Sequence, residues 1–157
     1  MLLRFLSLTF ILAAFAGMAF AGSCCHDEKD PVKITLVIIL ASEKGDTIDK
    51  RLKGVAEEVR KLHPKLTSFT YKSMESKSLK PSEKVSMLCV EKKMVEMVIK
   101  HGADKDNRVS LAVKPPSMSE LEYQTVCGKF LPIVTPYKTK DGERLILAIR
   151  VQPCKGD

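Results

Sequence analysis

Hydrophobic and polar residues change their spacing several times along this chain, and each change predicts a different element. Residues 33–41, KITLVIILA, are almost all apolar and many are β-branched, which is typical of a central strand covered on both faces. The run is too short to cross a bilayer, which requires about 20 apolar residues. Asp30 and Pro31 precede it and the polar residues 42–45 follow it. We therefore predict a buried central strand.

The segment after this strand has the period of an amphipathic helix. Apolar residues recur at helical spacing in residues 49–62, with charged residues on the opposite face. Thr47 or Asp49 can cap the start of this helix, and Pro64 disfavours a helical His63. We expect the apolar stripe to pack on the sheet. Its members are Leu52, Val55, Ala56, Val59 and Leu62.

Most of the remaining chain alternates apolar and polar residues with the period of a half-buried strand. The last run, RLILAIRV at residues 144–151, is denser in apolar residues and predicts a second buried strand. It follows a turn centred on Asp141 and Gly142. The alternating segments are residues 67–72, 84–90, 94–100, 109–113 and 121–127.

Two segments fit this alternation less well. Residues 74–84 are polar and rich in Ser and Lys, which predicts an extended edge or a connector. Residues 129–138 are interrupted by Pro132 and Pro136, which favours an edge strand or an ordered loop over a central strand.

The order of these elements predicts an α+β domain. We expect one amphipathic helix, at about residues 49–62, packed on a mostly antiparallel sheet of six to seven strands. The pairing of the first two strands stays open between parallel and antiparallel. A chain of 157 residues is too short for two domains with separate cores, so residues 32–154 are predicted to form a single domain.

The first residues resemble an export signal. Residues 1–21 carry Arg4 near the start, an apolar run and the small-x-small sequence Ala19-Phe20-Ala21, which together predict a cleaved signal peptide. Residues 22–31 would then form a flexible tail. A second interpretation of the junction is a bacterial lipobox, in which Cys24 would carry a lipid, although Ala21 stands where such a motif usually has Leu. Both interpretations imply a periplasmic or extracellular protein.

Composition limits the classes of partner. The formal charge of +7 falls to +6 without residues 1–21, because Arg4 is the only charged residue among them. The lysines are interspersed with acids and aromatic residues make up 6% of the chain, which does not favour nucleic-acid binding. An anionic surface or another envelope protein is a compatible partner, with membrane attachment only through a lipid on Cys24.

Two of the five cysteines are predicted to form a disulfide. Cys127 and Cys154 are nearly equidistant from the Asp141-Gly142 turn, so a hairpin about that turn would bring their sulfurs opposite each other. In the chain-entropy model such a bond stabilises the fold by about 3 to 4 kcal/mol before strain. The apolar neighbours of Cys89 favour a buried free thiol instead.

Few residues suggest chemistry. Cys24, Cys25 and His26 could hold copper(I) or zinc, although adjacent residues on a flexible tail rarely converge on one ion. Met87, Met94, Met97 and Met118 could line a copper-handling cleft, but methionine at strand positions is typical of core filling. No catalytic residue and no cofactor is predicted, because common catalytic and nucleotide-binding motifs are absent.

Two further patterns have weak catalytic or metal-binding interpretations. His63 and His101 stand next to Pro64 and Gly102 at element ends, where a solvated imidazole is common, and a hydrolase would need one of them beside a nucleophile in a pocket. Residues 104–107 resemble the start of a calcium loop but lack the required glycine and terminal acid. A polar turn is the better interpretation of that segment.

The order of features resembles that of small exported bacterial α+β proteins whose function is not established. The resemblance rests on the signal peptide, VKITLVIILAS, DKRLKGVAEEVRKL, FTY and KDGERLILAI. It implies a fold and no site residues.

From these patterns we expect an exported, non-enzymatic envelope protein that acts as a binding or interaction module. The proline-marked segment 130–137 is the candidate edge for a partner strand. The alternative is a metal or small-ligand carrier that uses the Cys24–His26 tail or a methionine-lined cleft.

Overall fold

A computed structural model describes residues 29–153. The predicted signal peptide, the residues Cys24, Cys25 and His26, and the cysteine Cys154 lie outside this range. The described elements are the strands β1 (Val32–Ser42), β2 (Ser68–Leu79), β3 (Lys84–Leu88), β4 (Met94–His101), β5 (Arg108–Lys114), β6 (Leu121–Val126), β7 (Phe130–Lys138) and β8 (Arg144–Pro153), and the helix α1 (Lys53–Leu62), which follows a 3₁₀ turn at Lys50–Leu52.

The strands form two antiparallel sheets rather than one. Sheet A has the order β2-β1-β8-β7 and sheet B has the order β3-β4-β5-β6. The chain leaves sheet A after β2, forms all four strands of sheet B, and returns to sheet A at β7. The last strand, β8, pairs with the first, β1. The α+β character is confirmed, but the predicted count of six to seven strands is wrong because the described chain has eight.

The reason for the extra strand is the segment with Pro132 and Pro136, which forms β7 at the edge of sheet A. A proline is tolerated at an edge because its missing N–H can face away from the paired neighbour. The division into two sheets was not predicted. Alternation along a strand shows which residues are buried, but it does not show which strands pair with each other in one sheet.

The main core lies between the two sheets. The inward side chains of β1 and β8 meet those of β3, β4 and β5 across this space, and the side chains at its centre are completely buried. The principal members are Ile34, Leu36, Ile38, Leu147, Ile149, Met87, Met97, Ile99, Leu111 and Val113.

A second, smaller core lies between α1 and the outer face of sheet A. Ile39 and Ile146 point away from sheet B and are completely buried against the helix. β1 and β8 therefore have both faces covered, which confirms the two buried strands predicted from their continuous apolar runs. The helix contributes Leu52, Ala56 and Val59.

The ends of the helical segment follow the predicted signals, with one exception. Asp49 Oδ1 accepts a hydrogen bond from the Arg51 backbone N–H at 3.0 Å and caps the 3₁₀ turn. The helix ends at Leu62, before Pro64. Leu62 was expected in the buried stripe but is 81% exposed. As the last residue of α1, it does not belong to the core beneath the helix.

The pairing left open by the sequence is antiparallel. β2 runs antiparallel to β1 along its whole length, with an irregularity between Ile38 and Ile39. β2 also continues through part of the polar segment 74–84, as the predicted extended edge, and its residues 72–78 are exposed. Strands β2 and β7 are thus the two edges of sheet A.

Candidate functional site

The most apolar concave surface of the described chain is a groove beside α1 on the outer face of sheet A. It encloses about 310 Å³. An adjoining cavity of about 280 Å³ shares three of its walls, Arg51, Val55 and Phe130. We call the two cavities together the α1 groove. The first cavity is lined by Val37, Arg51, Leu52, Val55, Tyr71, Met74, Phe130 and Arg150.

Strand register explains the apolar floor of the groove. Val37 of β1 is the pairing partner of Met74 on β2 and of Ala148 on β8, so these side chains form one row across the sheet. Met74 is 57% exposed and is the outermost member of the row. A long, flexible thioether in this position can adapt to the shape of an apolar occupant.

One side of the groove mouth is formed by Arg51. Its guanidinium stacks on the Tyr71 ring at 3.6 Å from the ring centroid. Two hydrogen bonds, at 3.0 and 2.7 Å, join the same guanidinium to the Asp49 carboxylate. The hydrogen bonds from Arg51 lower the pKa of Asp49 to about 2, so Asp49 balances the charge of Arg51 at neutral pH.

The other side of the mouth is formed by Arg150. Its pairing partners are Phe130 on β7 and Thr35 on β1, and its guanidinium lies 4.8 Å from the centroid of the Phe130 ring. The Nε of Arg150 is buried and has no hydrogen-bond partner within residues 29–153. A buried donor without an acceptor costs about 1 to 3 kcal/mol. The side chain of Arg150 as a whole is half-buried and lines the first cavity.

The groove is apolar with a positive mouth. Two guanidinium groups line the first cavity and no acidic side chain does. In the adjoining cavity, Lys129 and Glu58 add one charge of each sign. Gly54 also lines this cavity, and a Cβ placed there would meet no atom within 4 Å. The arrangement suits binding; its lining residues include no nucleophile with a neighbouring base.

The two histidines considered for a hydrolytic site lie apart from the groove. His63 ends the helix and lines a crevice with Glu43 and Arg144. His101 ends β4 and lines a shallow surface pocket with Glu122 and Tyr123. Ser110, the cross-strand pairing partner of His101, lines the same pocket. Neither imidazole makes a side-chain hydrogen bond within the described chain.

The methionines do not form a cleft. Met87 and Met97 are completely buried in the core between the sheets, and Met118 packs against that core. Met94 is exposed. Residues 29–153 contain no group of three or more His, Cys, Asp or Glu side chains that could hold a metal ion. The Cys24–His26 candidate lies outside that range.

The segment that resembles a calcium loop is a turn. Asp104 Oδ1 accepts hydrogen bonds from the backbone N–H groups of Asp106 and Arg108, at 2.9 and 2.8 Å. Asn107 adopts a positive φ of 55°, which asparagine tolerates well. The carboxylate of Asp104 therefore stabilises the turn that connects β4 and β5.

The two described cysteines are free thiols within residues 29–153. Cys89, predicted to be a buried free thiol, is partly buried against the main core, and burial raises its pKa to about 11. Burial, with a contribution from the charge of Asp104, also raises the pKa of Cys127. The β7–β8 register places Phe130 opposite Arg150, but the Gly128 N–H donates to the Val151 carbonyl, one residue out of that register, and the Cys127 N–H donates to the Asn107 carbonyl beside β5.

Comparisons with family models, with curated proteins and with solved structures found no match to this chain. Within the described residues, no helix is both long enough and apolar enough to cross a membrane.

Sequence reasoning missed the α1 groove because its lining comes from five separate parts of the chain. One signal was present. Arg150 lies inside RLILAIRV, a run predicted to form a buried strand, and a cation inside such a run suggests a place where the covering layer ends. The stacking of Arg51 on Tyr71 had no signal, since the two residues lie on different elements.

Proposed function

We propose that this protein is an exported, non-enzymatic binding module that holds an apolar molecule in the α1 groove. The observation that carries the proposal is the groove itself, a concave apolar surface whose floor is fixed by strand register and whose mouth carries two arginines. Ligand sites are mostly apolar concavities with a small number of placed polar groups.

The rigidity of the groove supports this use. Val37 and Leu52 are buried, at 6% and 2% exposure, and each belongs to the packed core beneath the helix. A binding surface built on packed elements keeps its shape and loses little conformational entropy when a ligand binds. This favours the groove over the exposed loops as the place where a partner is recognised.

Strand addition at β7 is a weaker version of the same function. Pro132 and Pro136 lie in this edge strand, and a proline offers no N–H to an incoming strand. Pro132 and Pro136 therefore remove two of the N–H groups that β7 could donate to an incoming strand, which weakens strand addition at this edge. We retain the binding function proposed from the sequence but place it on the sheet face instead of the edge.

Export, cleavage after residue 21 and lipidation of Cys24 remain part of the proposal. They rest on the pattern of the first residues. A lipid on Cys24 would hold the module at a membrane, whereas cleavage alone would release it. The intact mass of the protein recovered from its host distinguishes these two outcomes, because acyl chains on Cys24 add mass to a chain that begins at that residue.

The binding proposal is tested with a variant that fills the groove. Val55 is half-buried and forms a wall of both cavities, so Val55→Trp should occupy the space that a ligand needs. Glu57→Trp is the matched control, because it places the same side chain at an exposed position of the same helix. The chain has no natural tryptophan, so the fluorescence of each variant also reports the environment of its new side chain.

The probe is 1-decanol, a neutral apolar molecule, added to isotopically labelled protein. We expect amide resonances of Val37, Val55, Tyr71 and Phe130 to shift in the unaltered protein and in Glu57→Trp, and to stay in place in Val55→Trp. Shifts spread over sheet B, or equal binding by folded Val55→Trp, would overturn the proposal. A thermal melt of each variant establishes that it is folded.

A further inference from the structure

The two arginines at the mouth of the α1 groove differ in their partners. Arg51 already has a carboxylate partner in Asp49, at 2.7 Å. Arg150 has no ion pair and no hydrogen-bond acceptor within the described chain, and its Nε is buried. Arg150 is therefore the one cation lining the first cavity that has no anionic partner within the described chain.

The surroundings of Arg150 favour an anion over water as its partner. The guanidinium of Arg150 lies 4.8 Å from the centroid of the Phe130 ring. Thr35, the cross-strand pairing partner of Arg150 on β1, is only 2% exposed. A guanidinium is planar and presents its N–H groups in a fork that matches the two oxygens of a carboxylate. Shielding from solvent strengthens such a pair.

The space beside Arg150 limits the body of the ligand. The first cavity, at about 310 Å³, is at the lower end of the range of about 300 to 1,000 Å³ for ligand pockets. Its floor runs from Arg150 past Val37 toward Val55 and Met74. A single acyl chain fits this shape better than the two chains of a phospholipid.

We infer that the α1 groove binds a free single-chain fatty acid, with the carboxylate on Arg150 and the acyl chain along Val37 and Val55. This inference rests on the proposed binding function and specifies the ligand class. The apolar floor accounts for the chain, and the guanidinium without a partner accounts for the acid.

The test compares three ligands that share one chain and differ in the head group: decanoate, 1-decanol and decyltrimethylammonium. Each is titrated calorimetrically into the protein recovered from its host, below its micelle concentration and at pH 7.5. A hydrogen bond to a charged group strengthens binding substantially, so decanoate should bind about tenfold or more tightly than decanol. The cationic analogue should bind most weakly.

Arg150→Met tests the assigned contact, because methionine keeps an apolar stem of similar reach and removes the charge. We expect it to reduce decanoate affinity by about tenfold or more and to leave decanol affinity unchanged. Arg144→Met is the matched control, since the Nε of Arg144 is also buried without a partner but lies in the separate crevice with His63. It should not alter either affinity.

A direct spectroscopic reading complements the affinities. The Nε–Hε resonance of Arg150 should shift more on addition of decanoate than on addition of decanol, because only the carboxylate is a charged acceptor. Equal affinities for decanoate and decanol, with both abolished by Val55→Trp, would overturn the fatty-acid inference and leave the binding function standing. If neither ligand binds, both proposals fail. Binding to anionic diacyl vesicles without binding to decanoate would also overturn the inference.

Discussion

Sheet A is built from longer strands than sheet B, and the two sheets also differ in how many of their faces are covered. The central strands of sheet A, β1 and β8, are buried against sheet B on one face and against α1 on the other. β4 of sheet B buries Val95, Met97 and Ile99 and leaves the alternate positions partly or fully exposed. The difference shows that a third layer makes a strand uniformly apolar, whereas two layers leave it alternating.

The comparison also explains why the groove is on sheet A. The helix α1 has ten residues and the strand β1 has eleven. The helix is nevertheless much shorter in ångströms, because a helix rises about 1.5 Å per residue and a strand about 3.3 Å. Part of the outer face therefore lies beyond α1. Sheet B has no helix on its outer face within the described chain, so it has no comparable boundary between covered and uncovered surface.

The strongest test of this comparison uses consecutive residues on one strand of each sheet. Ile38 and Ile39 of β1 point to opposite faces and are 2% and 0% exposed, so Ile38→Ala and Ile39→Ala should each lower the free energy of unfolding by about 2 to 5 kcal/mol. In β4, Met97→Ala should have an effect of similar size, whereas Val98→Ala should cost much less because Val98 is only half-buried. Urea denaturation of the four variants measures these differences.

Equal losses for Met97→Ala and Val98→Ala would contradict the two-layer description of sheet B. A small loss for Ile39→Ala, with a large one for Ile38→Ala, would show instead that α1 contributes little to the burial of β1.

A smaller effect is expected from the predicted bond between Cys127 and Cys154, which would join the end of β6 in sheet B to the chain just after β8 in sheet A. If it forms, reduction should lower the free energy of unfolding by up to about 3 to 4 kcal/mol, less any strain. Intact mass before and after reduction, with peptide mapping, establishes the pairing.

Cys127→Ser provides the control for this bond, because it removes the sulfur and keeps the shape of the side chain. Reduction should not change the stability of Cys127→Ser. If reduction changes neither protein and the peptide map shows two free thiols, the prediction is wrong.

The smallest expected effect concerns the attachment of the helix layer to sheet A. Arg51 lowers the pKa of Asp49 to about 2 from a usual value of 3.8, so the Asp49 carboxylate stabilises the folded state at pH values above about 4. That contribution should be lost as the pH falls through about 2, because protonation removes the charge paired with Arg51.

Asp49→Asn isolates this effect, since asparagine can still cap the helical segment. The unaltered protein should melt at a higher temperature than Asp49→Asn at pH 6, and the gap should narrow between pH 4 and pH 2. A gap that stays constant over this range would show that the Asp49–Arg51 pair does not contribute to stability.

Sequence patterns predicted most of the local structure, because local structure depends on periodicity and on end signals. The continuous apolar runs predicted the two buried strands, and Asp49 and Pro64 marked the ends of the helical segment. The Asp141-Gly142 turn was also placed correctly, with Gly142 at a φ of 80°. Each of these features depends on residues close together in the chain.

Only the tertiary structure decided which faces met and where the covering layers ended. The chain's alternation assigns each residue to a face, but folding a meander into two sheets, pairing β1 with β8 and laying α1 over part of one face depend on contacts between distant residues. The α1 groove arises from those contacts. In the sequence, Arg150 is a cation within a mostly apolar run. It becomes a candidate ligand contact only in the folded protein, where β8, β7 and the helix layer come together.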